Sequence, residues 1–107
     1  MLRRDAYRLY LNAVASIGHL EDGNEKVIRE ARANLVRAKS EIAVTAPGPV
    51  VTALEKLERI VTRSPGAWTD TSDGRTAFAS LIRAMRTDLG GNSEISERSV
   101  GVILLGH

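Results

Sequence analysis

The amino-acid sequence predicts an all-α protein, an antiparallel four-helix bundle with a short apolar C-terminal appendage. Four stretches carry apolar residues at alternating three- and four-residue steps, which places these residues on one face of a helix. Short segments rich in glycine, proline and polar residues separate the stretches. Only 4% of the residues are aromatic, so the core is built from aliphatic side chains and alanine, several of which favour helices.

The composition limits both the size and the class of the protein. At 107 residues the chain is long enough for one hydrophobic core, and we expect a bundle domain over residues 1–91 and a tail over residues 92–107. There is no cysteine, which excludes disulfides, thiolate metal sites and cysteine nucleophiles. No stretch approaches the ~18 apolar residues of a membrane span, and no signal peptide is apparent, so we expect a cytoplasmic protein.

The first two predicted helices have the most regular patterns. The first covers residues 2–20, and the second begins after a cap at Asp22 or Asn24. The second helix alternates small and large apolar residues at three- and four-residue steps, which is typical of a close helix–helix contact. The apolar positions are Ala6, Leu9, Tyr10, Ala13, Val14, Ile17 and Leu20 on the first helix, and Ile28, Ala31, Leu35, Ala38 and Ile42 on the second.

Prolines and glycines set the limits of the other two helices. Pro49 is suited to the first position of the third helix, which Ser64-Pro65-Gly66 ends. A polar connection through Asp73-Gly74 leads to a fourth helix over about Arg75 to Leu89, and Gly90-Gly91 ends it. The inward positions are Val50, Leu54, Leu57 and Val61 on the third helix, and Phe78, Leu81, Ile82, Met85 and Leu89 on the fourth.

The tail carries an apolar run that resembles a short strand. The sequence contains no second candidate strand that could pair with it. Leaving these side chains in water is unfavourable, because burying one of them stabilises by about 1.5–3 kcal/mol. We therefore expect the run to cover its own bundle or to contact a second copy, and we favour a homodimer. The predicted interaction residues are Val100, Val102, Ile103, Leu104 and Leu105.

The residues that carry chemistry are few. His19 and His107 are the two histidines, and neither has the helical spacing of a metal-binding pair. Glu55 and Glu58 lie one turn apart without an accompanying Glu-x-x-His motif, so a solvated helix face explains them better than a di-metal site. We therefore predict no catalytic, metal or cofactor-binding residues and no enzyme activity, and the sequence leaves open whether a small ligand binds.

The charge distribution leaves nucleic acid as an alternative partner. Basic residues exceed acidic ones by 15 to 13, which gives a net charge of only +2. The second helix is the most basic element, and its possible anion or nucleic-acid contacts are Arg29, Arg32, Arg37 and Lys39. No stacking aromatic residues accompany them, so nucleic acid is the less favoured partner.

Two segments resemble a family of uncharacterised small bacterial helical proteins and domains. Members of this family carry an Ala-Ser-x-x-Val-x-x-Ala-Leu segment and later an Ala-Met-Arg-x-Asp-Leu-Gly segment. The matching positions here are Ala46, Val50, Ala53 and Leu54, and then the stretch Ala84-Met85-Arg86-Thr87-Asp88-Leu89-Gly90. The resemblance covers roughly residues 5 to 90, and Pro47-Gly48-Pro49 departs from it. It implies a helical fold and no particular catalytic activity.

The sequence as a whole favours a non-enzymatic helical module for protein association, including association with itself. The alternative is a nucleic-acid-associated accessory protein that uses the arginine-rich second helix.

Overall fold

The computed structural model describes residues 1–19, 25–64 and 68–90. The helices in these ranges are α1 (Arg3–His19), α2 (Glu25–Thr45), α3 (Gly48–Arg63) and α4 (Ser72–Asp88), with a 3-10 helix at Trp68–Asp70. No strand occurs in the described ranges. The predicted all-α class with four helices is therefore confirmed.

The chain divides into two compact units, Met1–Ala46 and Pro47–His107. In the first unit α1 packs against α2, and in the second unit α4 packs against both α3 and the 3-10 helix. The antiparallel order of the helices and the predicted boundary between residues 91 and 92 stay predictions.

The first unit buries part of each predicted helix face: Leu9, Val14 and Ile17 on α1 are half-buried, and Leu20 lies outside the described residues. On α1 the buried residues include Tyr10 and Ala13, and on α2 they are Ala31, Ala38 and Ile42. Ile28 and Leu35 of the predicted α2 row are half-buried. Tyr7 is also buried, at 3% exposure, although the apolar spacing did not select it. Because Ala31 and Ala38 have small side chains, they leave room for a close approach of another helix.

The second unit buries most of the predicted rows of α3 and α4, although Val61 is only half-buried and Ala79 is buried without having been predicted. The buried side chains are Val50, Leu54 and Leu57 on α3, and Phe78, Ala79, Leu81, Ile82 and Met85 on α4. The prediction that Leu89 points inward was wrong, since its side chain is 48% exposed. Leu89 is the C-cap residue, and its N–H still donates to the Met85 carbonyl oxygen at 3.1 Å, so the row continues to it but is exposed at this end of the helix. Gly90 follows with φ of 80°, a conformation that glycine adopts without steric cost.

Along the chain, the division between the two units falls between Ala46 and Pro47, at the start of the proline-rich segment. Helix α3 begins at Gly48, one residue earlier than predicted, and Pro47 is its extended N-cap residue. Pro49 therefore occupies the second helical position, where a missing N–H leaves no intrahelical bond unmade. The backbone N–H groups of Val50 and Val51 donate to the Pro47 carbonyl oxygen at 3.1 and 3.2 Å.

Helix α4 begins at Ser72, so the prediction that Asp73 and Gly74 belong to the preceding connection was wrong. The cause is a local network around Thr71, the N-cap residue. The Gly74 N–H donates to Thr71 Oγ1 at 3.0 Å, and the Thr71 hydroxyl donates to the Trp68 carbonyl oxygen at 2.9 Å. Gly74 is buried inside the first turn, where it allows α4 to contact the 3-10 helix.

Within the described ranges, none of the helices is both long enough and apolar enough to cross a membrane.

Candidate functional site

A groove of about 750 Å³ lies between α3 and α4 in the second unit, and we call it the α3/α4 groove. It is open to solvent and runs along both helices. Its lining residues are Pro49, Thr52, Ala53, Lys56, Arg59, Ile60 and Arg63 on α3, and Asp73, Thr76, Ala77, Ser80 and Ala84 on α4.

Helical spacing explains why these residues share one surface. On α3, alternating four- and three-residue steps connect Pro49, Ala53, Lys56, Ile60 and Arg63. The equivalent steps on α4 connect Asp73, Ala77, Ser80 and Ala84. Residues three and four apart lie next to each other on one helix face, so each helix contributes a continuous row to the groove.

The bottom of the groove is formed by half-buried residues, which we call the floor. Most of them are small or aliphatic, so they fill little of the space between the two helices. The floor consists of Ala53 and Ile60 on α3 and of Ala77, Ser80 and Ala84 on α4. An incoming aliphatic side chain would find apolar contacts there over several helical turns.

The α3 edge of the groove carries positive charge, and we call it the basic rim. Lys56, Arg59 and Arg63 are all exposed along this edge. On the α4 side the exposed lining residues are Asp73 and Thr76. Among the described residues, the lining thus holds three basic side chains against one acidic side chain, a formal excess of +2, and Glu55, the partner of Arg59, lies outside it.

Two interactions orient the basic rim. Arg59 forms an ion pair with Glu55, but the two side chains are 71% and 60% exposed. An exposed pair of this kind contributes only about 0–1 kcal/mol, so Arg59 is able to exchange partners at little cost. The Arg63 Nε–H donates to the Arg59 carbonyl oxygen at 3.4 Å, which directs the Arg63 side chain back along α3.

Contacts at the start of α4 hold the other wall in place. The Trp68 and Phe78 rings lie with their centroids 5.8 Å apart and are tilted by 43°. Arg75 Nη1 donates to the Thr69 carbonyl oxygen at 3.3 Å. Together with the Thr71 cap, these contacts fix the first turns of α4, from which Asp73, Thr76 and Ala77 extend.

The groove was not predicted from the sequence, although the residues of α3 carry a signal for it. The row from Pro49 to Arg63 runs directly beside the buried row from Val50 to Val61, and the two are offset by one residue. Because the groove row contains lysine and arginine, a search for apolar periodicity assigns it to the solvated face. Ala53 and Ile60, the two half-buried members of this row, are the part of the pattern that indicates a second contact surface.

The four basic residues predicted on α2 do not form one patch. Arg29, Arg32 and Arg37 are exposed and Lys39 is half-buried. Steps of three and seven residues place Arg29, Arg32 and Lys39 on one face, where the 60% exposed Val36 lies between them. Arg37 falls on a neighbouring face of the helix. Helical spacing therefore places three of these four side chains on one face of α2.

The predicted interaction residues Val100, Val102, Ile103, Leu104 and Leu105 lie outside the described residues. Among residues 1–19, 25–64 and 68–90, no three histidine or carboxylate side chains gather closely enough to hold a metal ion.

No family model, curated protein or solved structure matches this chain. The resemblance to bacterial helical proteins accordingly stays a prediction.

Proposed function

We propose that this chain is a non-enzymatic cytoplasmic module that binds another protein, and that the α3/α4 groove is the binding surface. The observation that carries the proposal is the half-buried floor between two helices, formed by Ala53, Ile60, Ala77, Ser80 and Ala84. An amphipathic helix binds a protein by laying its apolar face into a groove of this kind.

The dimensions of the groove favour a helix over a compact ligand. Helix α3 has 16 residues and so is about 24 Å long, and lining residues extend from Pro49 at its start to Arg63 at its end. A small ligand is usually enclosed over about 70–90% of its surface. This groove is long and open, so it suits a partner that buries one face and leaves the other in water.

The floor also offers the apolar contact that binding requires. Each aliphatic side chain that a partner buries there contributes about 1.5–3 kcal/mol. Several such anchors are needed, because association costs about 4–15 kcal/mol in lost translational and rotational freedom. The groove extends over enough helical turns to accept anchors at i, i+3 or i+4, and i+7.

A photo-crosslinking experiment with a matched control tests the proposal. A photoreactive amino acid replaces Thr76 at the exposed edge of the groove, and covalent adducts are compared in living cells. Ala77→Trp fills the floor, whereas Ala43→Trp adds the same side chain to an exposed position on α2. We expect an adduct with a defined protein that Ala77→Trp abolishes and Ala43→Trp leaves intact. If no adduct responds to Ala77→Trp while circular dichroism shows a folded chain, the groove is not the binding surface.

Self-association is a second part of the proposal and has a different basis. The apolar run Val100 to Leu105 lies outside the described residues, and its support is the sequence alone. Burial of this run against a second copy would remove several large apolar side chains from water. Contact through this run and contact through the groove involve different residues, so they can be tested separately.

One observation favours nucleic acid as an alternative partner. Arg29, Arg32 and Lys39 share a face of α2, a spacing that allows three basic side chains to follow a phosphate backbone. The excess of positive charge over the whole chain is small, at +2. This alternative predicts that affinity falls steeply with salt and that replacing Arg29 and Arg32 reduces this dependence.

A further inference from the structure

We infer that the partner of the α3/α4 groove is an amphipathic helix with an acidic edge. This inference rests on the proposed function and specifies the chemistry of the partner. It derives from the placement of the basic rim relative to the floor.

The charge of the groove is asymmetric. Lys56, Arg59 and Arg63 line the α3 side, whereas Asp73 is the acidic residue that lines the α4 side. A helix lying on the floor would therefore meet positive charge along one of its edges only. Opposite charge at those positions stabilises the complex and fixes which way the helix lies.

The spacing of the rim sets the spacing of the partner's carboxylates. Lys56 and Arg63 are seven residues apart on α3, which is two turns and about 10.5 Å. A partner helix parallel or antiparallel to α3 repeats this distance between positions i and i+7. Arg59 lies between the two other cations and is available to a third carboxylate, because its pair with Glu55 is solvent-exposed.

The same charges disfavour a second copy of this groove as the occupant. In a two-fold symmetric dimer each groove would face the same surface of the other chain. The positive charge of one groove lining, a formal excess of +2, would then face the same positive charge on the other lining. Like charges that face each other weaken association. An acidic partner removes this repulsion.

The floor disfavours a nucleic acid. Single strands bind along grooves where bases stack on aromatic side chains, and none of the described residues that line this groove is aromatic. Ala53, Ile60, Ala77 and Ala84 instead present methyl and methylene groups, which match the aliphatic face of a helix.

Selection from a helical peptide library tests the inference with the full-length chain as bait. The apolar face of the library contains only Ala, Leu and Ile, and the edge positions vary among Glu, Gln and Lys. We expect selected peptides to carry Glu at i and i+7 on one edge. Resynthesised Glu-edge peptides should bind about tenfold more tightly than matched Gln-edge peptides, because two or three partly exposed ion pairs add together.

A charge-reversed bait provides the control. Lys56→Glu combined with Arg63→Glu should select Lys at the same edge positions, whereas Arg29→Glu combined with Arg32→Glu should leave the selection for Glu unchanged. Ala77→Trp should abolish binding of every selected peptide. If circular dichroism shows that the charge-reversed bait is unfolded, the double variant Lys56→Gln and Arg63→Gln replaces it. We then expect the selection for Glu to be lost.

The outcomes separate this inference from the function on which it rests. Peptides that require the open floor but show no preference for Glu would overturn the acidic partner and leave the groove as a binding surface. Peptides that bind equally well to the Ala77→Trp bait, or no selected peptides at all, would overturn the groove as the binding surface as well.

Discussion

A β-carbon placed on Gly74 would lie 1.9 Å from the backbone carbonyl oxygen of Trp68. The same atom would lie 2.9 Å from Thr71 Oγ1, which accepts the Gly74 N–H. Neither the carbonyl oxygen nor the capping hydroxyl is the end of a long flexible side chain that could move aside. Because Gly74 has no side chain, α4 and the 3-10 helix can approach each other closely at this residue. This contact positions the α4 wall of the groove.

Gly74→Ala should destabilise the protein, because the added methyl group has no room. Packing an extra group into a filled site costs about 1–3 kcal/mol. We expect this cost to exceed the helix preference of alanine over glycine, which is at most about 1 kcal/mol. Urea denaturation followed by Trp68 fluorescence measures the free energy of unfolding of the unit that holds both residues.

Gly48→Ala is the matched control, since nothing lies within 4 Å of a β-carbon there. Its effect should stay within about 0.5 kcal/mol of zero. Equal unfolding midpoints for the two variants would contradict the close contact of Gly74 with Trp68.

Phe78→Ala should destabilise the second unit and change the environment of Trp68. Phe78 is 1% exposed, and its ring centroid lies 5.8 Å from that of Trp68. Loss of a buried phenylalanine costs about 3–5 kcal/mol, whereas Phe78→Leu should cost less because it keeps most of the volume. Trp68 is the single tryptophan, so its emission reports this site directly and should shift to the red in the alanine variant. An unchanged emission spectrum in folded Phe78→Ala would show that the two rings are not in contact.

Deletion of residues 99–107 should convert a dimer into a monomer if the apolar tail mediates self-association. Light scattering at several micromolar concentrations measures the mass of the full-length and truncated chains. Val36→Ser serves as the control, because it removes an apolar side chain that is 60% exposed on α2 and outside the tail. A full-length chain that is monomeric throughout, or a truncated chain that still dimerises equally well, would exclude the tail as the contact.

The α2 alternative makes a quantitative prediction about salt. If Arg29, Arg32 and Lys39 each neutralise one phosphate of duplex DNA, affinity should fall about 40-fold between about 50 and 200 mM salt. Replacing Arg29 and Arg32 by Gln should reduce the slope of log affinity against log salt by about two. Fluorescence anisotropy with a labelled duplex measures both values. Binding that is undetectable at the lower salt concentration would remove nucleic acid as a partner of this face.

The sequence predicted the four helices and most of their buried faces, because those faces follow a strict apolar spacing. It failed at the start of α4, where Asp73-Gly74 resembles a turn in the sequence. A tertiary contact with Trp68 instead requires the glycine inside a helix. The prediction for Leu89 failed because apolar spacing does not show where the end of a helix becomes exposed, and Leu89 is the exposed C-cap residue of α4.

The groove was missed for a different reason. Its rows mix alanine and isoleucine with Lys56, Arg63 and Asp73, so hydrophobicity alone does not separate them from a solvated surface. The groove is formed by the packing of α3 against α4, and neither row forms it without the other. The basic side chains of the α2 face were all identified beforehand, and helical spacing alone separates Arg37 from the other three.

Amide chemical shifts of the full-length chain, recorded during titration with a Glu-edge helical peptide, test most directly whether the α3/α4 groove is the binding surface. We predict that the largest shifts occur at Ala53, Ile60, Ala77 and Ala84, and that these shifts are absent in Ala77→Trp. Saturable binding with the largest shifts on α1 or α2, or unchanged binding to Ala77→Trp, would contradict the assignment of the groove.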